Sequence, residues 1–192
     1  MIAIVQYNAG NILSVANALG RQGCDYLVTD DPLQLQGADK VILPGVGAAG
    51  MAMAYLKERG LDEVIRSLEQ PVLGICLGLQ LMCSYSEEDD TTCIGIFETV
   101  VRKLPPKNLV PHMGWNNLRE RKGPLFTGIS EADDLYFVHS YAAALSADTI
   151  AVCDYIQPFS AALGKGNFYA TQFHPEKSGD VGGLIIQNFL SL

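Results

Sequence analysis

Val72-Leu73-Gly74-Ile75-Cys76-Leu77-Gly78-Leu79-Gln80 is the stretch that decides the fold. Val72–Ile75 is short and apolar, as a buried strand is. From Leu77 the sequence reads as the start of a helix, expected to reach Ser84. A cysteine sits at the junction, with glycine two residues away on either side. This is the spacing of a nucleophile elbow, with sulfur in place of oxygen. Glycines at those two positions let strand and helix crowd together, and the sharp turn makes the sulfur stand clear of its neighbours. A helix N-terminus favours thiolate through its free N–H groups and its dipole. The Leu77 N–H would then point at an oxyanion formed by attack. The competing reading is a buried cysteine packed as a small hydrophobe; the two glycines and the strand-turn-helix setting weigh against it.

Outward from the elbow, strands and helices alternate. Met1–Tyr7 reads as a strand and Asn8-Ala9-Gly10-Asn11 as a turn. Asn11 can cap a helix that runs to about Gln22 and ends at Gly23. Asp25–Thr29 is a second strand, followed by an Asp30-Asp31-Pro32 breaker. Lys40–Leu43 is a third strand, halted by Pro44-Gly45. A helical stretch runs from about Gly50 to Leu68, broken near Gly60. This order implies a parallel sheet with helices on both faces. In the second half, Ile96–Leu104, Leu135–Val138, Ile150–Tyr155, Ser160–Leu163 and Phe168–Phe173 are short strand candidates. From Gly179 the pattern is helical, with Val181, Ile185 and Phe189 on one face. The expected fold class is α/β: one domain over residues 1–192, with a mostly parallel central sheet flanked by helices and a smaller mixed or antiparallel extension.

Composition supports one self-sufficient domain. The chain has 192 residues, 48% of them hydrophobic and 18% charged. A domain of that size needs no disulfide or metal to fold. The low charged fraction suits a surface partly covered by a partner. A formal net charge of −8 argues against a nucleic-acid footprint. Five cysteines, an odd number without CxxC pairs, read as free thiols in a reducing compartment. The opening MIAIVQYN lacks a basic stretch, and the charge-free run Val41–Leu56 is interrupted by Pro44, Gly45, Gly47 and Gly50. The expectation is a cytosolic protein without a membrane segment.

A thiol nucleophile needs a base, and only three histidines exist: His112, His139 and His174. His174 ends the strand Phe168–Phe173 and precedes Pro175, which biases it to an extended backbone. Residues two apart then share a side, so Glu176 can meet the imidazole and fix its tautomer. Cys76 also follows its strand, so both would stand at the carboxyl edge of the sheet, where open α/β folds bind ligands. By itself, His174-Pro175-Glu176 would read as a surface turn with a solvated charge pair. His139 reads equally as structural or pocket-lining.

Taken together, Pro44-Gly45-Val46-Gly47, Gly74-Ile75-Cys76-Leu77-Gly78-Leu79-Gln80 and Gln172-Phe173-His174-Pro175-Glu176-Lys177-Ser178 resemble the class I (triad) glutamine amidotransferases. Gly10-Asn11, Pro111-His112-Met113-Gly114-Trp115-Asn116 and Phe137-Val138-His139-Ser140-Tyr141 are similar to the histidine-pathway glutaminases of that family. The resemblance covers almost the whole chain; Met51–Ala54 and Cys83-Ser84-Tyr85 depart from it. It implies that Cys76 attacks the side-chain amide of L-glutamine, that His174 relays the proton and that Glu176 orients it. It implies an oxyanion hole from Val46, Gly47 and Leu77, assembled by a peptide flip on activation, and substrate contacts from Gln80, Glu88, Ser140 and Tyr141. It implies ammonia transfer to a (β/α)8-barrel cyclase that makes imidazole glycerol phosphate. Asn11, His112, Met113, Trp115, Tyr136 and Lys177 would face that partner. No cofactor, metal, nucleic acid or membrane is implied.

Other readings separate on sequence features. A glutaminase serving another acceptor, such as an anthranilate or pyridoxal-phosphate synthase, would share the triad but not Pro111–Asn116. A free-standing γ-glutamyl cysteine hydrolase would turn over rapidly without a partner. A silent binding module would not need Cys76, His174 and Glu176 together. Dinucleotide binding lacks GxGxxG after the first strand, and three scattered histidines with lone cysteines offer no zinc spacing.

Overall fold

A computed structural model describes residues 1–8 and 10–192; Ala9, within the turn expected at 8–11, lies outside the described residues. The first half runs β1 (Ile2–Val5), α1 (Ile12–Arg21), β2 (Tyr26–Thr29), α2 (Pro32–Gln36), β3 (Lys40–Leu43), α3 (Ala49–Glu58), α4 (Leu61–Arg66), β4 (Val72–Ile75) and α5 (Leu77–Met82). There follow β5 (Cys83–Ser86), β6 (Thr91–Thr92), β7 (Phe97–Lys103), β8 (His112–Asn116), β9 (Leu135–His139) and β10 (Tyr141–Ala143). The chain continues through β11 (Thr149–Tyr155), β12 (Gln157–Lys165), β13 (Phe168–Thr171) and α6 (Gly179–Leu190).

The central sheet has seven strands in the order β11-β12-β13-β4-β3-β1-β2. From β13 to β2 every pairing is parallel; β11 and β12 add an antiparallel edge. A smaller mixed sheet, β10-β7-β5-β6, and the hairpin β8-β9 complete the α/β domain. Its strands show why the sheet needs cover on both faces. In β1, Ala3 and Val5 join one apolar cluster with α3, α4 and α5, while Ile2 and Ile4 join the other with α1 and α6. The same alternation divides Val41 and Leu43 from Ile42. All of these side chains are buried, and each large aliphatic one contributes roughly 1.5–3 kcal/mol.

β3 and β4 have the bounds expected from sequence, and Gly60 breaks the α3–α4 stretch with φ 66. Three local differences have physical causes. The Asp30-Asp31-Pro32 breaker is a helix start: Asp31 accepts a hydrogen bond from the Leu33 N–H at 2.8 Å, and Pro32 occupies the first turn of α2. The helix expected to reach Ser84 stops at Met82, because Cys83 turns extended and β5 pairs with β6 and β7. Asn11 stands at the N-terminus of α1 at φ 76 with no side-chain cap bond; its amide is used elsewhere. No helix among the described residues is long and apolar enough to cross a membrane.

Candidate active site

Cys76 lies between β4 and α5 at φ 54, ψ −103, a backbone conformation that costs on the order of 1–3 kcal/mol. Surrounding bonds hold it there: its N–H donates to the Thr171 carbonyl at 2.7 Å, and its carbonyl accepts from the Gln80 N–H at 3.3 Å. The flanking glycines are required by close approach. A Cβ on Gly78 would stand 2.0 Å from the Leu43 carbonyl oxygen, and one on Gly74 would stand 2.9 Å from Met82 Sδ. Helix and strand can pass at this distance only without side chains.

The register of the sheet supplies the partner. β13 lies beside β4 in parallel, with Thr171 opposite Ile75, so the segments leaving both strands emerge on one edge. His174 is fully buried and Glu176 is 8% exposed. His174 Nδ1 donates to Glu176 Oε1 at 2.7 Å. The route differs from the extended one expected, because Pro175–Lys177 forms a single 3-10 turn that swings Glu176 back. Ser178 Oγ clamps His174 by donating to its carbonyl and accepting the Tyr136 N–H. Burial pushes the His174 imidazole down, but Cys76 and Glu176 outweigh it and hold the pKa up to about 9. Among the described residues, His174 Nε2 is buried without a hydrogen-bond partner.

A cavity of about 310 Å³ opens over the sulfur, lined by Val46, Gly47, Cys76, Leu77, Gln80, Glu88, Pro111, Val138, His139, Ser140 and Tyr141. It therefore gathers every residue expected in the oxyanion hole or on the substrate. The Leu77 N–H does not face the cavity freely, because it donates to the Gly45 carbonyl at 3.3 Å. Tyr7 fastens the same loop by donating its hydroxyl to the Pro44 carbonyl. Glu88 Oε2 accepts the Ala49 N–H at 2.9 Å, and partial burial pushes its carboxyl pKa up.

Residues expected at a partner surface divide. Met113 and Trp115 are 63% and 57% exposed, and Trp115 packs edge-on against Tyr136 across the β8–β9 hairpin. Lys177 is exposed on the turn that carries Glu176. His112 is instead interior: it stacks between Phe137 and Tyr155 and bonds His139 at 3.0 Å. Its position on the inward side of the alternating β8 strand is the reason. Asn11 also turns inward, donating its amide to Glu176 Oε1. Burial lowers the His112 pKa to about 4 and that of His139 to about 3, so both rings are neutral at pH 7.

Sequence reasoning assigned nothing to Gln172, yet it is fully buried against the sulfur. The available signal was spacing: Gln172 stands two residues before His174 in the segment that follows β13.

The fold and this site define a class. The chain belongs to the class-I glutamine amidotransferase family, whose profile matches residues 4–191. Within it, the chain is 56% identical to the imidazole glycerol phosphate synthase subunit HisH of Bacteroides fragilis, over all of this chain and 99% of that protein. It is 48% identical to imidazole glycerol phosphate synthase subunit HisH 2 of Legionella pneumophila, over all of this chain and 98% of that one. Among solved structures, a putative GMP synthase subunit from Thermoplasma acidophilum superposes with a TM-score of 0.78 at 22% identity, covering all of this chain and 92% of that one. PurLQS of Thermotoga maritima gives 0.71 at 18% identity, covering 99% of this chain and 97% of that one. These two share the fold.

Proposed function

We propose that this chain is the glutaminase subunit of an imidazole glycerol phosphate synthase, acting in histidine biosynthesis in the cytoplasm. The carrying observation is the convergence of a strained cysteine and a buried His–Glu pair, from the ends of two adjacent parallel strands, beside an amino-acid-sized cavity. Cys76 Sγ attacks the carboxamide carbon of L-glutamine. His174 passes a proton from its Nε2 to the departing nitrogen, and ammonia leaves a γ-glutamyl thioester on the sulfur. Water, deprotonated by the same nitrogen, cleaves the thioester to glutamate and restores the thiol. Glu176 compensates the imidazolium throughout.

Oxyanion stabilisation needs a backbone change. The Leu77 N–H is held by the Gly45 carbonyl, so that carbonyl has to rotate away before Leu77 and the Val46–Gly47 peptide can serve the tetrahedral intermediate. That rotation turns on ψ of Gly45 and φ of Val46, and Gly45 carries no Cβ to resist it. The trigger comes from a (β/α)8-barrel cyclase seated over exposed Met113 and Trp115, with Tyr136 and Lys177 alongside. That partner receives ammonia away from bulk water and makes imidazole glycerol phosphate. The test is glutamate release by the chain alone, with the cyclase, and with the cyclase plus its nucleotide ligand. Turnover should rise with each addition and vanish in Cys76→Ala, which still binds the cyclase. Rapid turnover without any partner, or no complex, would remove the reading.

A further inference from the structure

Gln172 is buried among groups that dictate how its amide lies. The Tyr141 carbonyl can only accept, and it takes the His139 Nδ1–H at 2.8 Å and the Gln80 amide N–H at 3.0 Å. That fixes Gln80 with its NH2 inward. The same Gln80 nitrogen is 3.2 Å from Gln172 Oε1, so its second proton meets that oxygen. Gln172 must then present its own NH2 on its other side, where Nε2 stands 3.6 Å from Cys76 Sγ. A flipped Gln172 would set donor against donor at Gln80; flipping Gln80 as well would set oxygen against oxygen at Tyr141. Each acceptor thus orients the next amide, and the relay ends on the reacting sulfur.

We infer that Gln172 is a catalytic residue, a fixed N–H donor to the Cys76 sulfur whenever that atom carries charge. The inference rests on Cys76 being the nucleophile proposed above. The hydrogen bond strengthens as the S–H proton leaves for His174 and weakens as the S–C bond of the thioester forms. It strengthens again when that bond breaks and the electron pair returns to sulfur. His174 handles the proton on one side of the sulfur; Gln172 steadies the charge without exchanging a proton. Gln80, its NH2 committed to Tyr141 and Gln172, has only its carbonyl oxygen left to bond a ligand.

Alkylation of the full chain by iodoacetamide at pH 7, followed by peptide mass spectrometry, reads this without requiring glutamine turnover. Background is low, because burial pushes the Cys93 pKa to about 11 and that of Cys153 to about 12, and raises that of Cys83. Cys76→Ala reports what remains from Cys24. Gln172→Met keeps the volume and removes the donor; Gln172→Glu keeps the shape and replaces the NH2 with oxygen. A lost hydrogen bond to a charged group predicts roughly tenfold slower Cys76 alkylation in Gln172→Met, and at least as large a loss in Gln172→Glu. The turnover number in the cyclase complex should fall in parallel. Either variant, folded by its melting curve and alkylated at the wild-type rate, would overturn the role of Gln172 alone. Wild-type Cys76 reacting no faster than Cys24 would overturn the nucleophile itself.

Discussion

Glu176→Gln separates charge from geometry at the base. Glu176 Oε1 accepts from both His174 Nδ1 and the Asn11 amide, so a glutamine at 176 would be held with its oxygen in the same place. The tautomer and ring position of His174 survive; the negative charge does not. For charge centres about 4 Å apart at an effective dielectric of 20, the lost attraction is about 4 kcal/mol. Half of that, about 2 kcal/mol, already slows a step roughly 30-fold, and most of it would slow the step almost 1,000-fold. The His174 pKa, held at about 9 in the native protein, would move down, so the variant loses most near neutrality. Glutamate release by the cyclase complex, followed from pH 6 to 9, measures the effect, with a melting curve to confirm folding. A folded Glu176→Gln within threefold of native turnover at pH 7 would show that the carboxylate only positions the ring.

Gly78→Ala should destabilise the domain by about 3 kcal/mol or more and lower its melting temperature by about 6–12 °C, because the new Cβ meets the Leu43 carbonyl oxygen. Gly20→Ala, in open space on α1, should melt at or slightly above native temperature in the same calorimetric scan. Trp115→Ala should weaken cyclase binding at least tenfold while leaving the melting curve unchanged, since the ring is more than half exposed; titration calorimetry decides it. His112 and His139 have folded pKa values of about 4 and 3, below their unfolded value. They stabilise the fold above about pH 6.5, and that stability is lost as pH falls toward their folded values. His139→Gln, which can still donate to Tyr141, removes one proton from that linkage. Urea melts between pH 6.5 and 4.5 should show a slope smaller by up to about 1.4 kcal/mol per pH unit; an unchanged slope would place the acid sensitivity elsewhere. His174 works in the opposite sense, its contribution fading as pH rises through about 9.

The sequence was most legible where local chemistry and tertiary demand coincide. Lys40–Leu43 and Val72–Ile75 are strands with the bounds read from the chain, because continuous apolar runs beside Pro44 and Cys76 have no other stable place in a sheet covered on both faces. The elbow was legible for the same reason, its glycines marking a contact between backbones. β8 was not legible: His112–Asn116 buries only its first residue and is stabilised by pairing with β9 rather than by its own composition. β5 was hidden because it joins α5 without a linker. Within the site, parallel pairing of β13 with β4 carries His174 to Cys76, and that follows from topology. The inward turns of Asn11 and His112 depend on burial by residues distant in sequence, which no local pattern records. For Gln172 only its spacing from His174 was visible; its task is defined by two hydrogen-bonding neighbours, Gln80 and Cys76, both distant in the chain.

The pairing of β4 with β13 also sets a timetable for biosynthesis of the enzyme. The thiol emerges from the ribosome about a hundred residues ahead of its imidazole, and its neighbouring strand arrives with that imidazole. Until translation has passed residue 176, a nascent chain carries the Cys76 sulfur without the His174–Glu176 pair. On the roles proposed for Cys76 and His174, a chain cut short before β13 would therefore lack glutaminase activity, since only the paired strands bring the two side chains to one edge.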